Sequence, residues 1–340
     1  MANTFIRRDH RAIILWLSLC ALLVAMMVMI GGYTRLSGSG LSITEWKPIH
    51  GTIPPLDAAQ WQEEFAAYQQ SPQYKKVNMG MSLEGFKVIF WPEFIHRLLG
   101  RLIGAVFFMP LVVFAVRKSF SARFGWRLTA IFALGGLQGL IGWLMVASGL
   151  VDMPQVSAIR LALHLSVAFA ILGLLVWAAM DAAKDKQGFV IDDFLPSHHR
   201  PLTAYCLWFI LVIAQIILGA LMAGTHAGFI YNTWPTMNGE IVPYALFSDA
   251  ITLIQFLHRN VAILVAFGFL FWWYCNREYV KNSHLGKVCA WVSALIILQF
   301  TLGVLTLVNA VPLPLALIHQ TVALVLFIIV VLLLYKLIKR

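Results

Sequence analysis

Eight stretches of this chain are long and apolar enough to cross a bilayer, and no other feature limits its fold so tightly. They run near 12–33, 88–116, 128–151, 156–180, 202–224, 250–275, 288–308 and 313–335. A helix rising about 1.5 Å per residue needs roughly 20 apolar residues to cross ~30 Å of hydrocarbon. Lipid offers no partner to backbone N–H and C=O groups, so each segment must satisfy its own. The expected class is therefore an all-α integral membrane protein with eight transmembrane helices. Composition agrees: 60% of the residues are hydrophobic and 12% charged, unlike a soluble domain.

Basic residues orient the spans. With the N-terminus inside, sixteen Lys and Arg, from Arg7 to Arg340, fall on the cytoplasmic side. Six lie outside (Arg35, Lys47, Lys75, Lys76, Lys87 and Arg160), and Arg97, Arg101 and Arg259 fall within spans. Both termini are thus expected in the cytoplasm of a bacterial cell, with the first span a retained helix rather than a signal peptide. The net charge of +10 reports topology and does not call for a nucleic-acid partner. Cys20, Cys206, Cys275 and Cys289 sit in or at the ends of spans, so no disulfide framework is expected.

The spans repeat. "QGLIGWLM" from Gln138 in span 3 matches "QFTLGVLT" from Gln299 in span 7, and span 5 carries "QIILGALM" from Gln215. "HRLLG" at His96 answers "HRNVA" at His258, and "LHLSVA" around His164 answers "IHQTVA" around His319. The loops after spans 1 and 5, "GLSITEWKPIHGTIP" and "GFIYNTWPTMNGEIVP", correspond as well. This order predicts two pseudo-symmetric four-helix bundles, 1–185 and 186–340, as a parallel internal repeat about an axis along the membrane normal. The long outer loop 36–87 breaks the symmetry. There Asp57 and Gln60 stand at capping-box spacing, and Trp61, Phe65 and Tyr68 share one helix face. That helix is expected on the outer surface as a lid over the first half, or as a plain interfacial anchor.

Ten histidines are present. His10, His50, His198, His199, His226 and His284 fall in tails, loops or span ends, where solvated or interfacial roles suffice. His96, His164, His258 and His319 lie one per even-numbered span, roughly 10–14 Å below its outer end at 1.5 Å per residue. Each has a small residue four positions on: Gly100, Ala168, Ala262 and Ala323. A small side chain on the imidazole's own face lets a flat macrocycle approach the backbone. Two such helices facing one another suit a bis-histidine haem within a bundle. A lone membrane histidine would more simply form an interhelical hydrogen bond, but four at matched positions favour metal. Zinc, which wants four ligands, fits less well.

Charges in mid-span are costly and commonly functional. Arg97 and Arg259 follow a histidine directly and are candidate partners for haem propionates, as is Lys87, although each arginine could instead snorkel or pair. Glu93 stands one turn before His96, where the second half has Gln255. A carboxylate beside a porphyrin edge can exchange a proton or stabilise positive charge on a methyl being oxidised. Chemistry is therefore assigned to the first half, the bland alternative being a Glu93–Arg97 pair. Without chemistry, the same ligands would make a di-haem cytochrome b electron carrier, or a haem transporter.

The strings "GGYTRLSGSGLSITEWKPIHG" at 31–51, "WPEFIHRLLGRLIG" at 91–104 and "GLQGLIGWLMVASGL" at 136–150 resemble the haem A synthase family over nearly the whole chain. "HRN" at 258–260 and "HQTVA" at 319–323 support the likeness. The resemblance implies oxidation of the C8 methyl of haem O to a formyl group by successive hydroxylations. It implies a substrate-haem site at His96 and His164, a haem b held by His258 and His319, and an essential Glu93. Lacking an outer-loop cysteine pair, the chain is similar to the cysteine-free proteobacterial branch related to the mitochondrial enzymes. Expected partners are membrane lipid, a haem O synthase handing over substrate, an electron-transfer protein and a second copy of the chain.

Overall fold

The computed structural model describes residues 9–46, 50–151, 153–187, 200–280 and 284–338. Arg7, Arg8, Lys47, His198, His199, Lys281, Lys339 and Arg340 lie outside the described residues. Helices α1 (His10–Leu36), α2 (Ala58–Gln69), α3 (Pro72–Lys76), α4 (Leu83–Val116), α5 (Ala122–Ser148) and α6 (Ala158–Gln187) are followed by α7 (Arg200–Thr225), α8 (Ala250–Cys275), α9 (Arg277–Val280), α10 (His284–Val308) and α11 (Leu313–Ile338). Eight of these, α1, α4, α5, α6, α7, α8, α10 and α11, are long and apolar enough to cross a membrane. The chain is a multi-pass membrane protein.

Within the first half α1 packs on α4 and α6, and α5 on α4 and α6; in the second, α7 packs on α8 and α11, and α10 on α8 and α11. The halves meet where α6 lies against α7 and α11, and α1 against α11. One apolar core draws on α1, α4, α5, α6 and α11, including Leu17, Leu128, Leu172 and Phe327. A second draws on α7, α8, α10 and α11, including Tyr205, Phe269 and Val330. Leu15, Val116, Phe267 and Trp291 point outward, as residues solvated by lipid do.

Polar contacts tie the halves at two levels. Arg127 Nη1 of α5 bonds Asp181 Oδ2 of α6 at 2.7 Å, and Tyr335 OH of α11 donates to Asp181 Oδ1 at 2.9 Å. At mid-span Gln320 Nε2 of α11 donates to Val28 O of α1 at 2.6 Å. Gly32 makes this approach possible, because a Cβ there would collide with the Gln320 amide.

Two span starts differ from the sequence reading. The second span begins at Leu83, with Ser82 Oγ accepting from Gly85 N at 3.1 Å, and the third at Ala122, capped by Ser121. The added turns of α4 belong to the lid. Phe86 and Phe90 pack with Trp61, Phe65 and Tyr68 of α2, with Trp61–Phe90 centroids 4.9 Å apart in an edge-on contact. The expected cap of α2 is present: Gln60 N donates to Asp57 Oδ1 at 2.9 Å and Leu56 N to Gln60 Oε1 at 2.8 Å. The outer-loop helix α2 is held on α4 by this aromatic cluster.

Candidate haem-binding sites

Each of the four span histidines meets a glycine on a neighbouring helix. A Cβ on Gly142 of α5 would lie 2.8 Å from His164 Cε1, and one on Gly303 of α10 would lie 3.0 Å from His319 Cε1. The corresponding distances are 3.2 Å from Gly219 of α7 to His258 Cε1, and 3.0 Å from Gly31 of α1 to His96 Nε2. Glycine thus gives every imidazole room against its neighbouring helix. His96 lies within electrostatic range of His164, and His258 of His319. Among the described residues no three His, Cys, Asp or Glu side chains gather into a metal-ion group. Two imidazoles suit a metal whose remaining ligands come with it in a macrocycle.

One turn before three of these glycines stands a glutamine. Gln138 Nε2 lies 3.3 Å from His164 Nε2 and donates to His164 O at 3.0 Å. Gln215 Nε2 lies 3.2 Å from His258 Nδ1, and Gln299 Nε2 lies 3.3 Å from His319 Nε2. The carbonyl oxygens of all three glutamines are buried without a partner, and so is Nδ1 of His164 and of His319. Buried polar groups are seldom left this way. Turning ring and amide lets Nδ1–H donate to the glutamine carbonyl and leaves Nε2 for iron, the usual support of a histidine ligand. The site chemistry therefore fits haem. In the sequence these glutamines read only as marks of the repeat; the available signal was a glutamine four residues before a glycine on the helix preceding three of the four histidine helices.

Glu93 and Arg97 are brought together, but with each other and the loop after α1. Glu93 is buried, with Oε1 accepting from Arg97 Nη2 at 2.5 Å and Nε at 3.0 Å. Its Oε2 accepts from Ser42 Oγ at 2.7 Å and Ile43 N at 2.9 Å. Arg97 also donates to Ile43 O at 2.7 Å and Glu45 O at 2.9 Å, so all three of its nitrogens are engaged. Trp46, next in the loop, stacks on Trp143 of α5, with ring centroids 5.3 Å apart. Trp143 follows the glycine that meets His164, so the loop reaches from the His96 helix, α4, to α5, the helix that packs on His164.

The second half uses the same device without a carboxylate. Gln255 Nε2 donates to Tyr231 O at 2.9 Å, and Arg259 Nη2 donates to the carbonyls of Thr233, Pro235 and Thr236 at 3.0–3.1 Å. The Arg259 guanidinium lies 5.0 Å from the Trp234 ring, and Trp234 meets Phe300 of α10 edge-on at 5.5 Å. Arg259 keeps one buried nitrogen, Nη1, unpartnered. Lys87 is placed elsewhere: its Nζ bonds Glu84 at 2.7 Å and lies 5.4 Å from the Trp61 ring of the lid. Cys20, Cys206, Cys275 and Cys289 are free thiols.

Comparison with known proteins bears on these sites. Residues 14–331 match the family described as cytochrome oxidase assembly protein, COX15-CtaA. A Nitrosospira multiformis protein named "Heme A synthase" is 43% identical over 327 residues, covering 94% of this chain and 91% of its own. Namesakes from Maricaulis maris and Methylobacterium radiotolerans are each 46% identical, over 94% and 93% of this chain and 94% and 87% of theirs. With four histidines within its eight spans, this likeness makes the chain a member of the haem A synthase family, a membrane enzyme of haem A formation.

Proposed function

We propose that the chain oxidises the C8 methyl of haem O to a formyl group by two successive hydroxylations through the alcohol. His96 and His164 of the first half, 1–185, hold the substrate. His258 and His319 of the second half, 186–340, hold a haem b that passes single electrons when bound. The halves are two copies of one unit, set in a bacterial inner membrane with both termini in the cytoplasm.

One observation supports placing chemistry in the first half. Both halves clamp the loop over their histidines, and the second does so with the neutral Gln255 and Arg259. The clamp alone needs no carboxylate, so the charge of Glu93 serves something further. Buried one turn from His96, it can receive a proton released as the methyl is oxidised, or offset positive charge developing there. Arg97, Ser42 and the Ile43 amide hold the carboxylate in place. Arg259, with a free buried donor, is the better candidate for a propionate partner, while Arg97 positions Glu93 and Lys87 steadies the lid. A di-haem electron carrier would need Glu93 for the clamp alone, which Gln255 shows can be built without a charge.

The test is Glu93→Gln, which installs the residue that the second half tolerates at this position. Expressed beside a haem O producer, it should retain haem yet lower haem A and its alcohol precursor by roughly 100-fold or more, the scale of a lost acid–base group. Normal haem A from a haem-loaded variant would refute the assignment.

A further inference from the structure

In three of four helix pairs the residue one turn before the histidine-facing glycine is a glutamine: Gln138 before Gly142, Gln215 before Gly219, Gln299 before Gly303. In the fourth pair it is Met27, one turn before Gly31. Met27 Cε lies 3.4 Å from where a Cβ on Gly100 would stand, one turn along α4 from His96. A thioether offers no useful acceptor to an imidazole N–H. Among the described residues no hydrogen bond reaches the His96 ring, whereas the other three imidazoles each have an amide alongside.

We infer that His96 is the exchangeable axial ligand of the first-half haem, and that Met27 makes it so. A hydrogen bond from Nδ1 to a carbonyl fixes the ring and raises its basicity toward the metal. With ring and amide turned, Gln138 would do this for His164, and Gln215 and Gln299 for both ligands of the second half. Both second-half imidazoles would therefore be fixed by an amide, whereas in the first half only His164 would be, leaving His96 free to swing away. Its ring packs against Gly31, where no side chain obstructs it. The inference rests on the reading that each half grips one haem through its two imidazoles.

Carbon monoxide binds ferrous haem only where an axial position opens, and it reads the difference without turnover. The purified full-length protein, with its haem content measured first, is reduced and titrated with carbon monoxide by absorption. The wild type should take it up at one of its two haems. Met27→Gln, close in size and supplying the missing amide, should weaken that uptake about tenfold, the value of one buried hydrogen bond. Met27→Leu should bind as the wild type does, and Gln138→Met should take up more by freeing His164. Colourless wild-type protein would sink the bis-histidine reading itself. Haem-loaded protein that ignores carbon monoxide, or equal uptake by the wild type and Met27→Gln, would overturn only the assignment of His96. If Met27→Gln fails to hold haem, Gln138→Met decides, and unchanged uptake there overturns it.

Discussion

Removing the Arg97 guanidinium should be far more damaging than its partly exposed position suggests, and a second substitution should reverse much of the loss. Glu93 is about 3% exposed at its side chain and Arg97 about 17%, and the pair closes at 2.5 Å. Arg97→Met leaves Glu93 with Ser42 and the Ile43 amide but without a countercharge. Breaking a buried pair costs about 3–5 kcal/mol, because the remaining charge stays buried and uncompensated. Discounting for the exposed edge of Arg97 gives about 2–4 kcal/mol. In Glu93→Gln/Arg97→Met the orphan charge is gone, so roughly 2 kcal/mol should return even though more hydrogen bonds have been lost. The assay is denaturant unfolding in mixed micelles, with all four corners of the cycle measured together. Arg259→Met provides the control: it forfeits three carbonyl contacts and the Trp234 face, yet strands no charge, so Gln255→Leu should give no rescue. If the double variant at 93 and 97 is no more stable than Arg97→Met, the clamp owes nothing to charge pairing.

Two other outcomes are expected. Gly142→Ala sets a Cβ 2.8 Å from His164 Cε1 and should lower haem content or shift its absorption bands, whereas Gly139→Ala on the same helix meets nothing within 4 Å and should stabilise by up to about 1 kcal/mol through helix propensity. Asp249, which caps α8 outside the span, has its carboxyl held below the usual range by the Thr252 hydroxyl and by the amides of Thr252 and Ile251. A depressed carboxylate stabilises above its unfolded pKa, about 3.9, and that contribution disappears as the pH falls through the lower folded value. Amide protection in the first turn of α8, corrected for the intrinsic pH dependence of exchange, should therefore fall on acidification in the wild type and lose this dependence in Asp249→Asn.

The spans were legible because lipid enforces a simple rule, long apolar runs, and their number and order follow from it. Their ends were less so. The start of α4 reads as polar loop, "MSLEGFK", and only the aromatic cluster with α2 shows why Leu83–Phe90 is helical. The lid face was readable, since Trp61, Phe65 and Tyr68 are spaced for a helix; what they pack on was not. The histidines declared themselves by position. The Glu93–Arg97 pair was readable from its i, i+4 spacing, whereas the backbone carbonyls that Arg97 and Arg259 also bond leave no trace in a sequence. The glutamines were visible as a recurring letter, yet their meaning depends on which helix lies beside which.

The Gln320–Val28 contact bears on how the molecule is made. Gln320 belongs to α11, which follows the other seven spans along the chain, and it fills the notch at Gly32 on α1, beside the glycine that meets His96. Until α11 has entered the bilayer, α1 lacks one of its flanking walls. A nascent chain therefore cannot complete its first-half pocket early, although all the ligands for that pocket were synthesised long before. Completion of the first-half pocket thus waits for the insertion of α11.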